Sequence, residues 1–207
     1  MRNLGSELSD VAIPLKSASV ASERATKGFT DALRIEIADE YAPVSVDFVK
    51  PAGIGTLFVG HAKNYLDHEP KLPQTVYSPE VVVEAVLHAA AHPQRDVYAG
   101  GASRGMAWFG PSAPRVYDPI ASRLGLRAQL TSEPRRAGNS LFESGIGLSA
   151  RSGRHGRVRE SSFYTDAYTR PASARAALMG VAGVLLVAAA RRYVRETQER
   201  RLTRFLR

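Results

Sequence analysis

Apolar and polar positions follow different rhythms along this chain, and each rhythm predicts a different element. From Val20 to Glu40 the apolar residues Ala25, Phe29, Ala32, Leu33 and Ile35 recur near helical spacing, which predicts a helix with an apolar stripe. Tyr41-Ala42-Pro43 ends it, since proline cannot continue a helix and biases the residue before it to extended geometry. Val44 to Lys50 is rich in β-branched residues on both faces, as in a strand covered on both sides. Pro51 to Gly55 then reads as a turn with two glycines. After a proline-containing stretch of mixed polarity over 57–78, Ser78-Pro79-Glu80 has the composition of a helix start. Val81 to His92 carries that helix, and Arg95 to Ala99 is a short strand. Gly101 to Leu126 reads as two short helices split at Gly110-Pro111. Residues 131–163 are rich in Ser, Gly and Arg without periodicity, so no regular structure is expected there. The last feature is an apolar run, 176–190, with Arg on both sides.

The first 58 residues carry a recognisable order. Asn3-Leu4-Gly5-Ser6 is the end of a strand closed by a serine. The segment Lys27-Gly28-Phe29-Thr30-Asp31-Ala32-Leu33-Arg34-Ile35-Glu36 is helical. Val46-Asp47-Phe48-Val49-Lys50-Pro51-Ala52-Gly53-Ile54-Gly55-Thr56 is a buried strand running into a Pro-Gly loop with a threonine. This order resembles the C-terminal half of the short-chain dehydrogenase/reductase family over about residues 1–100. The resemblance implies an α/β fold, a partial Rossmann-like domain without the N-terminal βαβ units, and the composition beyond it adds a C-terminal helix. The chain then divides into four regions. Residues 1–100 match the family core, 101–130 form a helical extension, 131–170 form a flexible Arg/Ser/Gly-rich segment, and 171–207 form an apolar then basic helix. The chain is expected to begin inside a strand, which implies a truncated family member, a misassigned start or a gene remnant.

The family's chemistry implies a site. In it a serine polarises the substrate oxygen, and Ser6 stands at that place. A tyrosine about thirteen residues later passes the proton, and a lysine four residues beyond lowers the phenol's pKa and holds the ribose of NAD or NADP. A free phenol titrates near 10, and a nearby ammonium favours the phenolate. Counting from Ser6 reaches Ser19 and then Glu23, so both positions are degenerate. No lysine in the chain has a tyrosine four residues before it. A serine hydroxyl is a far weaker acid than a phenol, and a carboxylate opposes ionisation of its neighbour. The expectation is an impaired proton relay. Cofactor contacts are implied for Pro51, Gly53, Ile54 and Thr56, with Thr56 equally suited to capping a helix. Ser6 without its base reads as a strand-end cap.

Val97-Tyr98-Ala99-Gly100-Gly101-Ala102-Ser103-Arg104-Gly105-Met106-Ala107 looks like a phosphate-binding glycine turn. It falls after the Pro-Gly loop, has Ala107 at the third glycine position, and is followed by no βαβ unit. These features argue against a dinucleotide site.

Charge divides the chain. Residues 1–100 hold 9 Lys/Arg and 13 Asp/Glu, a balance of −4, whereas 101–207 hold 19 Arg and 7 acids, a balance of +12. The basic half is suited to an anionic surface, but no nucleic-acid-binding motif accompanies it, and no nucleic acid is expected as partner. The 15 residues 176–190 span about 22 Å as a helix, short of the roughly 30 Å core of a bilayer. They read either as a membrane anchor over 174–194, helped by snorkelling Arg, or as an Ala-rich helix packed on the domain. A cytoplasmic location, with or without that anchor, is expected. There is no cysteine, so disulfides and thiolate sites are absent. His88 and His92 lack an HExxH pattern, and no metal is expected. Two functions follow: a catalytically impaired NAD(P)-dependent oxidoreductase homologue, or a non-catalytic, membrane-associated protein that pairs with a copy of itself or with an intact relative.

Overall fold

The computed structural model describes residues 1–170 except 137, 139, 143, 145–148, 154 and 155. Residues Met1–Asp166 form one compact unit, and the second unit, Ala167–Arg207, lies almost wholly outside the described residues.

The centre is a parallel sheet of three strands, β1 (Arg2–Leu4), β2 (Asp47–Pro51) and β6 (Asp96–Ala99), in the order β1-β2-β6. Asn3 pairs with Phe48, and Val49 with Val97. Every residue of β2 is buried, as a strand covered on both faces should be, but it begins at Asp47 and not at Val44, and it takes in Pro51, which reads as turn in the sequence. Parallel strands need crossovers. Helix α1 (Ser17–Asp39) supplies the one between β1 and β2, and α3 (Pro79–Ala91) lies between β2 and β6. On α3 the apolar positions Val81, Ala85 and Ala89 repeat every four residues and are buried against the sheet. Arg2 donates to the carbonyls of Ala89 and Ala90 at 3.0 and 2.9 Å, satisfying orphan acceptors at the end of α3.

Helix α1 departs from the sequence reading. Its apolar stripe does not face the core: Phe29 and Ile35 are 62 and 72% exposed. The face that docks is polar. Thr30 is fully buried and accepts from Asn3 Nδ2 at 2.9 Å, Lys27 reaches Asp10 at 2.7 Å, and Arg34 Nε donates to the Val46 carbonyl at 2.9 Å. Long polar side chains anchor this helix through hydrogen bonds, which periodicity of hydrophobic residues cannot register.

Two smaller sheets flank the centre. Strands β3 (Gly53–Ile54), β5 (Val76–Tyr77) and β8 (Val158–Arg159) run parallel, while β4 (His68–Pro70) and β7 (Leu130–Pro134) pair antiparallel. So the stretch 131–163, expected to lack regular structure, contributes most of β7 and all of β8. Both are short, and partners far away in sequence hold them in place. Helix α2 (Phe58–His61) follows the Pro-Gly loop. Helices α4 (Gly101–Ser112) and α5 (Pro114–Gln129) meet at Ala113, three residues past the expected Gly110 break. Pro114 begins α5 at a position where its missing N–H is no loss. Helix α6 (Phe163–Thr169) ends the described part.

Among the described residues no helix is long and apolar enough to cross a membrane. The anchor expected over 174–194 lies outside the described residues.

Candidate functional site

The carboxyl ends of parallel strands are where ligands bind in open α/β sheets. At those ends of β1 and β2 lies a cavity of about 520 Å³. Ser6 follows β1, Ser19 and Glu23 sit in the first turns of α1, and Pro51, Gly53, Ile54 and Thr56 belong to the loop after β2. All seven of these residues line the cavity. Positions separated by up to 50 residues thus converge because the β1-α1-β2 crossover returns the chain to the same end of the sheet.

Each side chain has a local reason for its place. Gly5 admits the Phe48 ring where a Cβ would stand 2.2 Å from Phe48 Cζ, and the next residue, Ser6, turns out of the sheet. The Ser6 hydroxyl accepts from the Leu8 backbone N–H at 3.2 Å, capping the short 3₁₀ turn Glu7–Ser9. Thr56 also caps, accepting the Phe58 N–H at the start of α2 at 3.4 Å. The Ile54 carbonyl takes the Thr56 N–H at 2.8 Å. The Ser19 carbonyl accepts the Ser22 hydroxyl at 2.9 Å. Burial pushes the Glu23 carboxyl above the ordinary range.

The sequence reading missed two charged residues of this cavity, Glu7 and Lys16. Burial pushes the Glu7 carboxyl up to about 7, with the Lys16 ammonium pulling the other way. Burial likewise lowers Lys16, against the attraction of Glu7. Two signals were available. Glu7 directly follows the strand-end serine, and Lys16 precedes Ser19 by three residues, close to one helical turn. No tyrosine is among the residues lining the cavity.

The glycine turn at 100–105 is not a phosphate cradle. Gly100 N–H donates to Thr165 Oγ1 at 3.0 Å, Gly101 N–H to Ser162 Oγ at 3.1 Å, and Ala102 N–H to Tyr77 OH at 3.3 Å. The free donors a phosphate would need at the N-terminus of α4 are already used. His88 and His92 stack with centroids 4.5 Å apart, and no group of three potential metal ligands gathers among the described residues.

The family that the sequence resembles uses a nicotinamide cofactor. The cavity wall carries hydroxyls at Ser6 and Thr56 and a carboxyl at Glu23. Among the described residues there is no cradle for the pyrophosphate.

No protein-family model matches the chain. The chain is 35% identical over 193 residues to the uncharacterized oxidoreductase YxnA of Bacillus subtilis (strain 168). That alignment covers 92% of this chain and 53% of the relative, so the chain spans about half the length of the curated relative it matches. A crystal structure of a short-chain dehydrogenase from Burkholderia cenocepacia J2315 in complex with NADP matches 58% of this chain and 46% of its own, with a TM-score of 0.47 and 25% identity.

Proposed function

We propose that the chain is a short-chain dehydrogenase/reductase homologue, a reading that its order of elements and its oxidoreductase relative support, and that it holds the catalytic-serine and nicotinamide side of such an enzyme with its proton relay impaired. The observation that carries this reading is the 520 Å³ cavity, which gathers Ser6, the Pro51–Thr56 loop, Ser19 and Glu23 and has no phenol on its walls. When bound, the reduced cofactor, NADH or NADPH, would supply the hydride. The chain's own residues do the rest. Ser6 has a hydroxyl free to donate to a substrate carbonyl while its oxygen accepts from Leu8. Glu23 offers its carboxylate to ribose hydroxyls, which carboxylates accept in dinucleotide sites. Ser19 holds no proton acidic enough to transfer near neutral pH.

The test is calorimetric titration of the full chain and of a Ser19→Tyr/Glu23→Lys variant with NADP and NAD, followed by carbonyl-dependent oxidation of the reduced cofactors. Heat from both proteins, with turnover only in the variant, is expected. Equal turnover by both would overturn the impairment. No heat from either would overturn the cofactor reading.

A second reading rests on α1. Its exposed Phe29 and Ile35 favour pairing, with a second copy or with an intact family relative, through that helix.

A further inference from the structure

Next to the Ser6 cavity is a second one of about 200 Å³, and the two share Lys16, Ser19 and Phe58. Its walls are largely apolar, with Phe58, Val59 and Leu66 among them. Three lysines line it, Lys16, Lys63 and Lys71, and no Asp or Glu does. Among the described residues none of the three forms an ion pair. Lys16 is half-buried, whereas Lys63 and Lys71 are exposed at the rim. Lys63 lies 6.0 Å over the ring of Tyr65, which also lines the cavity.

Apolar walls with cations and no counter-charge select one kind of ligand. An uncharged apolar molecule would leave the three ammonium groups without a counter-charge in this cavity, since Glu7, whose charge reaches Lys16, lines the neighbouring one, and a cation would be repelled. An anion with an apolar body satisfies both parts, because its body leaves water against the walls and its head meets the ammonium groups. The volume limits the body. An apolar cavity of about 150 Å³ takes benzene, so this one takes roughly six to eight carbons.

We infer that this second cavity is a carboxylate subsite, and that the substrate class is a medium-length oxo- or hydroxycarboxylic acid. Its reacting carbon lies in the Ser6 cavity, and its carboxylate lies among Lys16, Lys63 and Lys71. The substrate role rests on the dehydrogenase reading above. The carboxylate site itself does not.

The test is calorimetric titration of the full chain with octanoate, 1-octanol and octylamine, at low and raised salt. Octanoate is expected to bind at least about tenfold more tightly than either other probe, with affinity falling as salt rises. A Lys63→Met/Lys71→Met variant, changed only at exposed positions, is expected to lose about tenfold in octanoate affinity with its thermal midpoint unchanged. A Lys63→Arg/Lys71→Arg variant should retain binding. Equal affinity for octanoate and octanol, or no loss in the double Met variant, overturns the inference. Parallel titration with NADP separates the two readings. Octanoate binding without cofactor heat keeps the carboxylate site and removes the substrate role. Cofactor heat without octanoate binding removes the carboxylate site and keeps the dehydrogenase reading.

Discussion

The Lys50 ammonium lies 2.9 Å from Asp10 Oδ2, joining the fully buried strand β2 to the segment between β1 and α1. Lys50 is 1% exposed. Asp10 also takes Lys27 at 2.7 Å, and Lys50 lies 3.3 Å from Asp96. Burial alone would raise the Asp10 carboxyl, but hydrogen bonds from Lys27 and Lys50 outweigh it and hold the group below the usual range. Burial would lower Lys50, and the hydrogen bond to Asp10 with the nearby Asp96 charge raises it instead.

Removing the Asp10 charge leaves the buried Lys50 ammonium with Asp96, 3.3 Å away, as its one ion-pair partner among the described residues, and losing one partner of a buried charge costs more than the pair itself contributes. Asp10→Asn is therefore expected to destabilise the fold by about 3 kcal/mol in urea unfolding near neutral pH. Lys50→Met/Asp10→Asn should cost less than the sum of the single changes. Because the folded Asp10 value is depressed, its contribution is present above the ordinary carboxylate value near 3.9 and is lost as pH falls through the folded value. The gap between wild type and Asp10→Asn should close in acid.

Glu7 has the opposite sign. Its carboxyl titrates near 4.5 when free and at about 7 in the folded chain. Between those values the folded state binds more protons than the unfolded one, so stability falls as pH rises from about 4.5 to about 7 and is level above. The fall should be on the order of 2 kcal/mol, since Glu7 is only half-buried. Glu7→Gln should flatten it, and urea midpoints measured across this range for the two proteins check the sign.

Two glycines are held by close approach. A Cβ at Gly5 would stand 2.2 Å from Phe48 Cζ, and Phe48 is fully buried with no room to retreat. Gly100 has φ +97°, and a Cβ there would stand 2.8 Å from Tyr77 Cε2. Gly5→Ala and Gly100→Ala are each expected to cost about 1–3 kcal/mol by overpacking, more at Gly100 where backbone strain adds. Gly28, with nothing within 4 Å of its would-be Cβ, is the control, and Gly28→Ala should be neutral or stabilising in thermal melts.

Thr165→Ala strips the acceptor from the Gly100 N–H. An orphaned buried donor costs about 1–3 kcal/mol, and Thr165→Ser, which keeps the hydroxyl, should recover most of it in urea unfolding.

Phe29→Asp/Ile35→Asp alters only exposed positions of α1. If α1 is a pairing surface, light scattering of the wild type should give a mass above one chain and the variant should give one chain, with folded-state circular dichroism unchanged. Identical masses would remove pairing with a second copy.

Much of the local structure was legible beforehand. The proline after Ala42 and the Ser-Pro-Glu helix start depend on neighbours in sequence, and they mark the end of α1 and the start of α3. The spacing from Ser6 to Ser19 and Glu23 likewise pointed to residues that do share one cavity. What stayed hidden was long-range. Val158 is in a strand because Val76 pairs with it, and Leu130 because Pro70 does. The outward turn of Phe29 follows from hydrogen bonds made by Thr30 and Arg34 to distant backbone and side chains.

The sequence by itself determined that positions 19 and 23, thirteen and seventeen residues after Ser6, carry a serine and a glutamate and not a phenol and an ammonium. Those facts are covalent, and no packing can restore a missing side chain. Only the tertiary structure decided which charges face the Ser6 cavity, placing Glu7 and Lys16 on its wall and Lys63 and Lys71 beside it. It also decided that the glycine turn at residue 100 is closed by Ser162, Thr165 and Tyr77. Burial and partnership of a polar group depend on residues brought from far along the chain, and these set its pKa and its availability to a ligand.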